Sequence, residues 1–191
     1  MPEKIRCSWC VGNKLYENYH DREWGVPVHD DQALFEMLIL EGAQAGLSWI
    51  TVLQKRENYR KLFSNFDYKK VARFTDKKLE KLLENPGIIR NRLKVFGTRI
   101  NAKCFMEVQA EFGTFDLYIW SFVDGNTKQN NFKSLKQVPA TTKQSDAMSK
   151  DLKKRGFKFV GSTICYAFMQ ATGMVNDHTA DCFRHRQLAR K

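Results

Sequence analysis

Residues 30 to 44, DDQALFEMLILEGAQ, read as one helix whose inward stripe contains an acid. Asp30 or Asp31 is placed to cap its N-terminus. Leu34, Leu38, Glu41 and Ala45 recur at helical spacing, and Met37, Leu40 and Gln44 flank them. Glu41 therefore faces the interior, where an unpaired carboxylate is costly unless it is neutralised or hydrogen-bonded. A chain that buries such a helix needs other helices around it and a use for the carboxylate.

The rest of the chain supplies those helices. Ser48 can cap a second helix carrying Trp49, Val52, Leu53, Tyr59, Leu62 and Phe63, and Asp67 can start a short third one. Thr75 or Asp76 opens another, which stops at Asn85-Pro86-Gly87. A long helix is expected from about Ile89 to Phe112, with Leu93, Phe96, Ile100 and Cys104 on one face. FDLYIWSFV (115–123) reads as a short apolar helix, and 124–143 as an irregular surface connection. Ser145 then caps a helix ending at Gly156, and STICYAFMQATG (162–173) is a buried helix closed by Gly173. Strand alternation is not convincing anywhere, so the fold class is all-α. The tail FRHRQLARK is basic and expected to fray.

With 42% hydrophobic and 13% aromatic residues, the 191-residue chain can bury a substantial core. No apolar run reaches membrane-spanning length and no signal-peptide pattern opens the chain, so the expected location is cytoplasmic and no membrane partner is expected. An excess of 32 basic over 21 acidic residues gives a net charge of +11. That balance suits a polyanion, most simply nucleic acid, although solubility charge has the same signature.

Three constellations can carry chemistry. RCSWC supplies Cys7 and Cys10, NYHD supplies His20, and NDHTADC presents His178 and Cys182 four apart. Two cysteines and two histidines can close a tetrahedral, structural zinc site joining the two chain ends. Cys7 and Cys10 compete for one place in it, and scattered residues without metal remain the alternative. The second constellation, LLENPGIIRNRLK (82–94), reads as a helix–hairpin–helix that can hold a phosphate on backbone N–H groups. Arg90, Arg92 and Lys94 are placed to add charge, although Pro-Gly equally marks an ordinary helix connection. The third is the aromatic set near Glu41: Trp9, Tyr16, Tyr19, Trp24 and Trp49. Flat π surfaces beside an acid can hold a cationic heteroaromatic ring; Trp24 reads as core.

Together these segments resemble one family, the DNA-3-methyladenine glycosylase I enzymes of the helix–hairpin–helix superfamily. YHDREWGVP, LFEMLILEGAQAGLSWITVLQKRENYR, PGIIRNRLK, WSFV and LKKRGFKFVGSTICYAFMQATGMVNDH carry the resemblance, from about Arg6 to Cys182. It implies hydrolysis of the N-glycosidic bond of 3-methyladenine in alkylated double-stranded DNA, after the nucleotide is flipped from the helix. It implies Glu41 as the base-pocket acid, Tyr19 and Trp49 as stacking aromatics with Trp9 and Tyr16 close by, and Gly46 and Leu47 as the loop filling the gap in the duplex. Pro86, Gly87, Ile88 and Arg90 would meet DNA. Cys7, His20, His178 and Cys182 would hold one structural zinc ion, with Cys10 a bystander.

The expected layout is one glycosylase unit over 1–183 followed by a basic tail, 184–191, without an assigned role. Central helices of about 30–123 form one part, and segments 1–29 and 145–183 around zinc form the other. Glu107 and Glu111 lie where many superfamily relatives carry a catalytic aspartate, but match no such motif. No lysine is placed as a Schiff-base nucleophile, so a monofunctional, monomeric enzyme without lyase activity or nucleotide cofactor is expected. A zinc-stabilised module that binds DNA lesions or structures without chemistry is the rival reading. An RNA-binding role fits less well, since no single-strand stacking motif appears.

Overall fold

Side-chain caps set most of the helix starts in the computed structural model, which describes residues 4–189. In chain order the helices are α1 (Lys14–Arg22), α2 (Asp31–Gln44), α3 (Trp49–Leu53), α4 (Arg56–Leu62), α5 (Tyr68–Val71), α6 (Asp76–Leu83), α7 (Arg92–Phe112), α8 (Phe115–Trp120), α9 (Lys143–Lys154), α10 (Ser162–Ala171) and α11 (Phe183–Ala189). Asn13, Asp30, Asp67, Thr75, Asn91, Thr114 and Thr142 each accept a backbone N–H in the first turn of the helix that follows. The fold is mostly helical. Two two-residue strands, β1 (Lys128–Gln129) and β2 (Val175–Asn176), pair in parallel and pin the long connection to the segment after α10.

α2 runs through the middle of the core. Leu34 to Ala43 are all buried, a pattern expected of a helix surrounded on every side. Its two other acids are satisfied. Asp31 accepts from the N–H groups of Phe115 and Asp116 and so also caps α8. Glu36 accepts from Arg56 Nε at 2.5 Å and Arg60 Nε at 3.0 Å. One apolar cluster joins α2 to residues of α1, α7, α8, α9 and α10.

Several expectations need correction. The helix after Ser48 breaks at Gln54–Lys55 into α3 and α4, and the Ser48 hydroxyl meets Thr51 Oγ1 rather than a backbone N–H. α7 starts at Arg92, not Ile89, and its buried face is rotated from the expected stripe. Leu93 and Ile100 are exposed, whereas Thr98 and Asn101 are buried. Those polar residues are satisfied inside: Thr98 donates to Lys94 O, and Asn101 pairs with both backbone groups of Lys158. Thr142, not Ser145, caps α9; Ser145 completes a capping box from the third position. The tail is helical through Ala189, with Leu188 buried; positions 190 and 191 of that tail, like 1–3, lie outside the described residues. No described helix is long and apolar enough to cross a membrane.

Gly173 determines where the chain turns after α10. It has φ +72°, and a Cβ there would overlap the backbone of Val26 and Pro27. Gly173→Ala should lower stability by about 2–4 kcal/mol through strain and overpacking. For a chain of this length that corresponds to roughly 5–15 °C in Tm. A thermal melt within a degree of wild type would show that the close crossing is dispensable.

Candidate active site

α1, α2, α3 and α10 enclose a cavity of about 190 Å³. Trp9, Tyr16, Tyr19 and Trp24 line one side, Glu41, Gln44 and Trp49 another. Leu135, Val138, Ala167, Gln170 and Asp177 complete the wall. The five residues expected at a base pocket (Trp9, Tyr16, Tyr19, Glu41 and Trp49) thus share one cavity. Trp24, read as core from the sequence, lines it too. Gln44, Gln170 and Asp177 were not singled out. For Asp177 the only available signal was an acid inside the MVNDH run.

Three polar atoms around this cavity are buried without a partner: Tyr19 OH, Glu41 Oε2 and Trp49 Nε1. Buried polar groups in folded proteins are rarely left so. The rings of Tyr19 and Trp49 lie 5.4 Å apart, and Trp9 contacts Tyr16 at 4.7 Å and Trp24 at 5.0 Å. Burial pushes the Glu41 carboxyl up to about 8, because its ionised form has lost water. Burial, and then the nearby Glu41, raises the Tyr16 and Tyr19 hydroxyls. The site combines a neutralised acid, aromatic surfaces and orphaned donors, a set suited to a flat, nitrogen-rich ring.

Behind the aromatic wall, Cys7, His20, His178 and Cys182 are all buried, with one ligand atom from each within 4.8 Å of the others. His178 Nδ1 lies 3.1 Å from His20 Nε2, 3.5 Å from Cys182 Sγ and 3.7 Å from Cys7 Sγ; Cys182 Sγ lies 3.4 Å from His20 Nε2. A tetrahedral ion with bonds of about 2.0–2.3 Å requires ligand-to-ligand edges of roughly 3.3–3.8 Å, which these separations approach. The opposite ring nitrogens are fixed: His20 Nδ1 meets Asp21 Oδ1 at 2.9 Å, and His178 Nε2 meets Trp24 O at 3.0 Å. Such partners orient metal-ligating imidazoles. The four residues can hold a metal ion. Cys10 stands aside, its thiol donating to Cys7 O at 3.2 Å.

The candidate DNA contacts fall on loops. Gly46, with φ +78°, and Leu47, 42% exposed, form the turn between α2 and α3. The loop between α6 and α7 spans 84–91; Ile88 is buried, and Arg90 is exposed. Pro86 O accepts from Lys55, and Gly87 N–H is taken by Asn85 Oδ1. Arg92 is paired with Glu80. Lys94 turns inward to Ala43 O and Ala45 O at 2.8 and 2.6 Å, so it is not available to a phosphate as expected. Glu107 and Glu111 are exposed; Glu111 pairs with Arg155, and neither lines the cavity.

The family model of methyladenine glycosylases matches residues 9–185. The chain is 51% identical over 177 residues to DNA-3-methyladenine glycosylase 1 of Escherichia coli (strain K12), covering 93% of this chain and 95% of that one. A crystal structure of 3-methyladenine DNA glycosylase I superposes with a TM-score of 0.92 at 52% identity, covering 94% of this chain and 98% of the other. A structure of 3-methyladenine DNA glycosylase I from Staphylococcus aureus, describing 3-methyladenine recognition, gives 0.91 at 34% identity, with 93% and 95% covered.

The raised Glu41 carboxyl has a consequence for stability. The unfolded chain ionises near 4.5 and the folded one near 8, so folding stability falls between those pH values and levels off above them. Glu41→Gln should match wild type near pH 4.5 and exceed it by about 3–5 kcal/mol at pH 8.5. Denaturant titrations at both pH values check this; parallel curves for the two proteins would show that Glu41 ionises freely.

Proposed function

The chain belongs to the methyladenine glycosylase family, and on that premise we propose that it hydrolyses the N-glycosidic bond of 3-methyladenine in alkylated double-stranded DNA, leaving an abasic site. The single observation that carries this reading is the trio of unpartnered buried atoms, Tyr19 OH, Glu41 Oε2 and Trp49 Nε1, around one aromatic cavity. A flipped purine would supply their missing partners and stack on the rings of Tyr19 and Trp49, with Trp9 and Tyr16 alongside.

Methylation at N3 makes the adenine a cation. Cleavage of the bond from C1′ to N9 then releases neutral 3-methyladenine without prior protonation, water delivers hydroxide to C1′, and one proton is lost. The enzyme's tasks are extrusion, recognition and electrostatics. Glu41 is protonated in the empty pocket near neutral pH; an entering cation favours its ionised form, which accepts hydrogen bonds from the base. Neutral adenine offers no such compensation. This is why an acid is kept in an apolar helix.

Zinc is the ion that the donor set suits: two thiolates, two imidazoles and no open position. Bound there, it supplies structural cross-linking rather than chemistry. Cys7 and His20 on one side and His178 and Cys182 on the other would hold it, and the edge contacts of Trp9 with His20 and of Trp24 with His178 carry the brace to the pocket. The helix–hairpin–helix reading of 82–94 assigns backbone phosphates to Pro86, Gly87, Ile88 and Arg90. Leu47, on the turn at Gly46, would enter the duplex. In this layout the central helices, 30–123, supply Glu41 and Trp49, and the terminal segments supply Trp9, Tyr19 and the metal site. A monomer acting in the cytoplasm on chromosomal DNA completes the reading.

Base release from methylated duplex DNA, separated by chromatography, tests it. Wild type should release 3-methyladenine; Glu41→Ala should lose at least about a hundredfold in rate, the size of one displaced catalytic contact, while keeping its affinity for undamaged DNA. DNA binding without base release by wild type would favour a non-catalytic lesion-binding protein. Cys182→Ser should lower zinc content and melting temperature together; unchanged zinc stoichiometry would remove Cys182 from the ligand set.

A further inference from the structure

The long connection before α9 reaches the cavity through Leu135 and Val138. Leu135 is a wall residue and yet 37% exposed, which places it where the cavity meets solvent. The connection is anchored on either side of this point. Asn130 N–H donates to Asn176 O, Phe132 O accepts from Ala180 N–H, and Thr142 opens the capping box of α9. Between those anchors the hydrogen bonds of 133–141, among the described residues, are internal: Gln137 N–H to Ser134 O, Val138 N–H to Leu135 O, and Lys133 N–H to Gln137 Oε1 at 2.7 Å. A self-contained turn is thus seated at the rim by two apolar side chains.

Its charge is one-sided. From Gly125 to Ser145 the chain carries four lysines and no acid. Lys133 and Lys136 flank Leu135, both are exposed, and neither is in an ion pair among the described residues. The cations around the 84–91 loop are differently placed. Lys55 donates to Pro86 O, Arg92 pairs with Glu80, and Lys94 turns to the carbonyls that end α2.

We propose that the turn 133–141 is a DNA-contacting element in which Lys133 and Lys136 hold the phosphates flanking the nucleotide whose base enters the cavity. The inference rests on the reading of the cavity as a base pocket and adds to it the grip on the strand. A flipped base stays bonded through its sugar to two phosphates, so these halt at the rim when the base is inside. Consecutive Cα atoms stand about 3.8 Å apart, which puts Lys136 beside a wall residue and so at that rim. Lys133 belongs to the same turn, closed by Gln137. A lysine ammonium meets phosphate as a point charge and reads no sequence, which suits an enzyme whose lesion can lie in any context. A free base, which has no phosphate, gains nothing from these lysines.

The test measures binding of zinc-loaded, full-length protein to a duplex with one tetrahydrofuran abasic-site analogue, by fluorescence anisotropy over a range of salt concentrations. Lys133→Ala/Lys136→Ala should bind at least about tenfold more weakly than wild type near 0.1 M salt, and its plot of log K against log salt should be shallower by about 1–2. Free 3-methyladenine, followed by the fluorescence of the cavity tryptophans, should bind both proteins within about twofold, which also shows that the variant is folded. A second duplex has neutral methylphosphonates at the two phosphates flanking the abasic residue. It should weaken wild type by a similar factor and leave the double variant within about twofold. If the methylphosphonates weaken both proteins equally, the lysines act only through net charge, and the inference is overturned. It is overturned too if wild type prefers the abasic duplex over undamaged DNA but ignores the methylphosphonates. A wild type with no preference for the abasic duplex and no affinity for 3-methyladenine would instead strike the base-pocket reading itself.

Discussion

The desolvation of one carboxylate sets the terms for the rest of this structure. α2 is apolar on nearly every side because it lies at the centre of the core, and Glu41 shares that burial without a hydrogen-bond partner. The same helix shows what an ordinary buried acid needs. Five residues earlier, Glu36 is held by two arginines, and Asp31 is held by the backbone of α8. Nothing comparable reaches Glu41. Its cost is borne by the apolar packing around α2, in which Glu41 Oε2 is left without a partner.

The Cys/His cluster is the second constraint, and it acts on the pocket through aromatic edges. Trp24 gives its carbonyl to His178 and packs its ring 4.6 Å from that imidazole, while Trp9 packs 5.4 Å from His20. Arg6 in turn holds Asp21, the partner of His20. Residues near both ends of the chain are thereby fixed in register with the wall of Trp9 and Trp24 that lines the cavity. Loss of the cluster would loosen that wall before it touched α2, because α2 is packed by other helices.

Much of this was legible in the sequence, and the misses have physical reasons. Periodicity identified α2 and put Glu41 inside, because there the apolar residues alone define the face. It failed on α7, whose buried face contains Thr98 and Asn101; once their hydrogen bonds are met internally, polar residues pack as core, and the visible stripe of Leu93 and Ile100 points outward. Residue type and the His178–Cys182 spacing left Cys7 and Cys10 competing for one place among the candidate metal ligands, and only the family resemblance favoured Cys7; in the structure the Cys10 thiol turns to Cys7 O instead. Asp177 was illegible for a different reason. Its place in the cavity depends on the turn at Gly173 and on the pairing of β1 with β2, two long-range events that no local pattern encodes.

Lys94 shows how these parts combine. From the sequence it was one more cation beside the hairpin; in the structure its ammonium sits on the carbonyls of Ala43 and Ala45. Those carbonyls end α2, where the helix dipole favours positive charge and backbone acceptors have no helical partner. The half-buried contact lowers the lysine's proton affinity yet satisfies two acceptors at once. It also ties the first turn of α7, just beyond the 84–91 loop, to the turn that carries Gly46 and Leu47. One half-buried cation thus links the loop before α7 to the C-terminal end of the helix that carries Glu41.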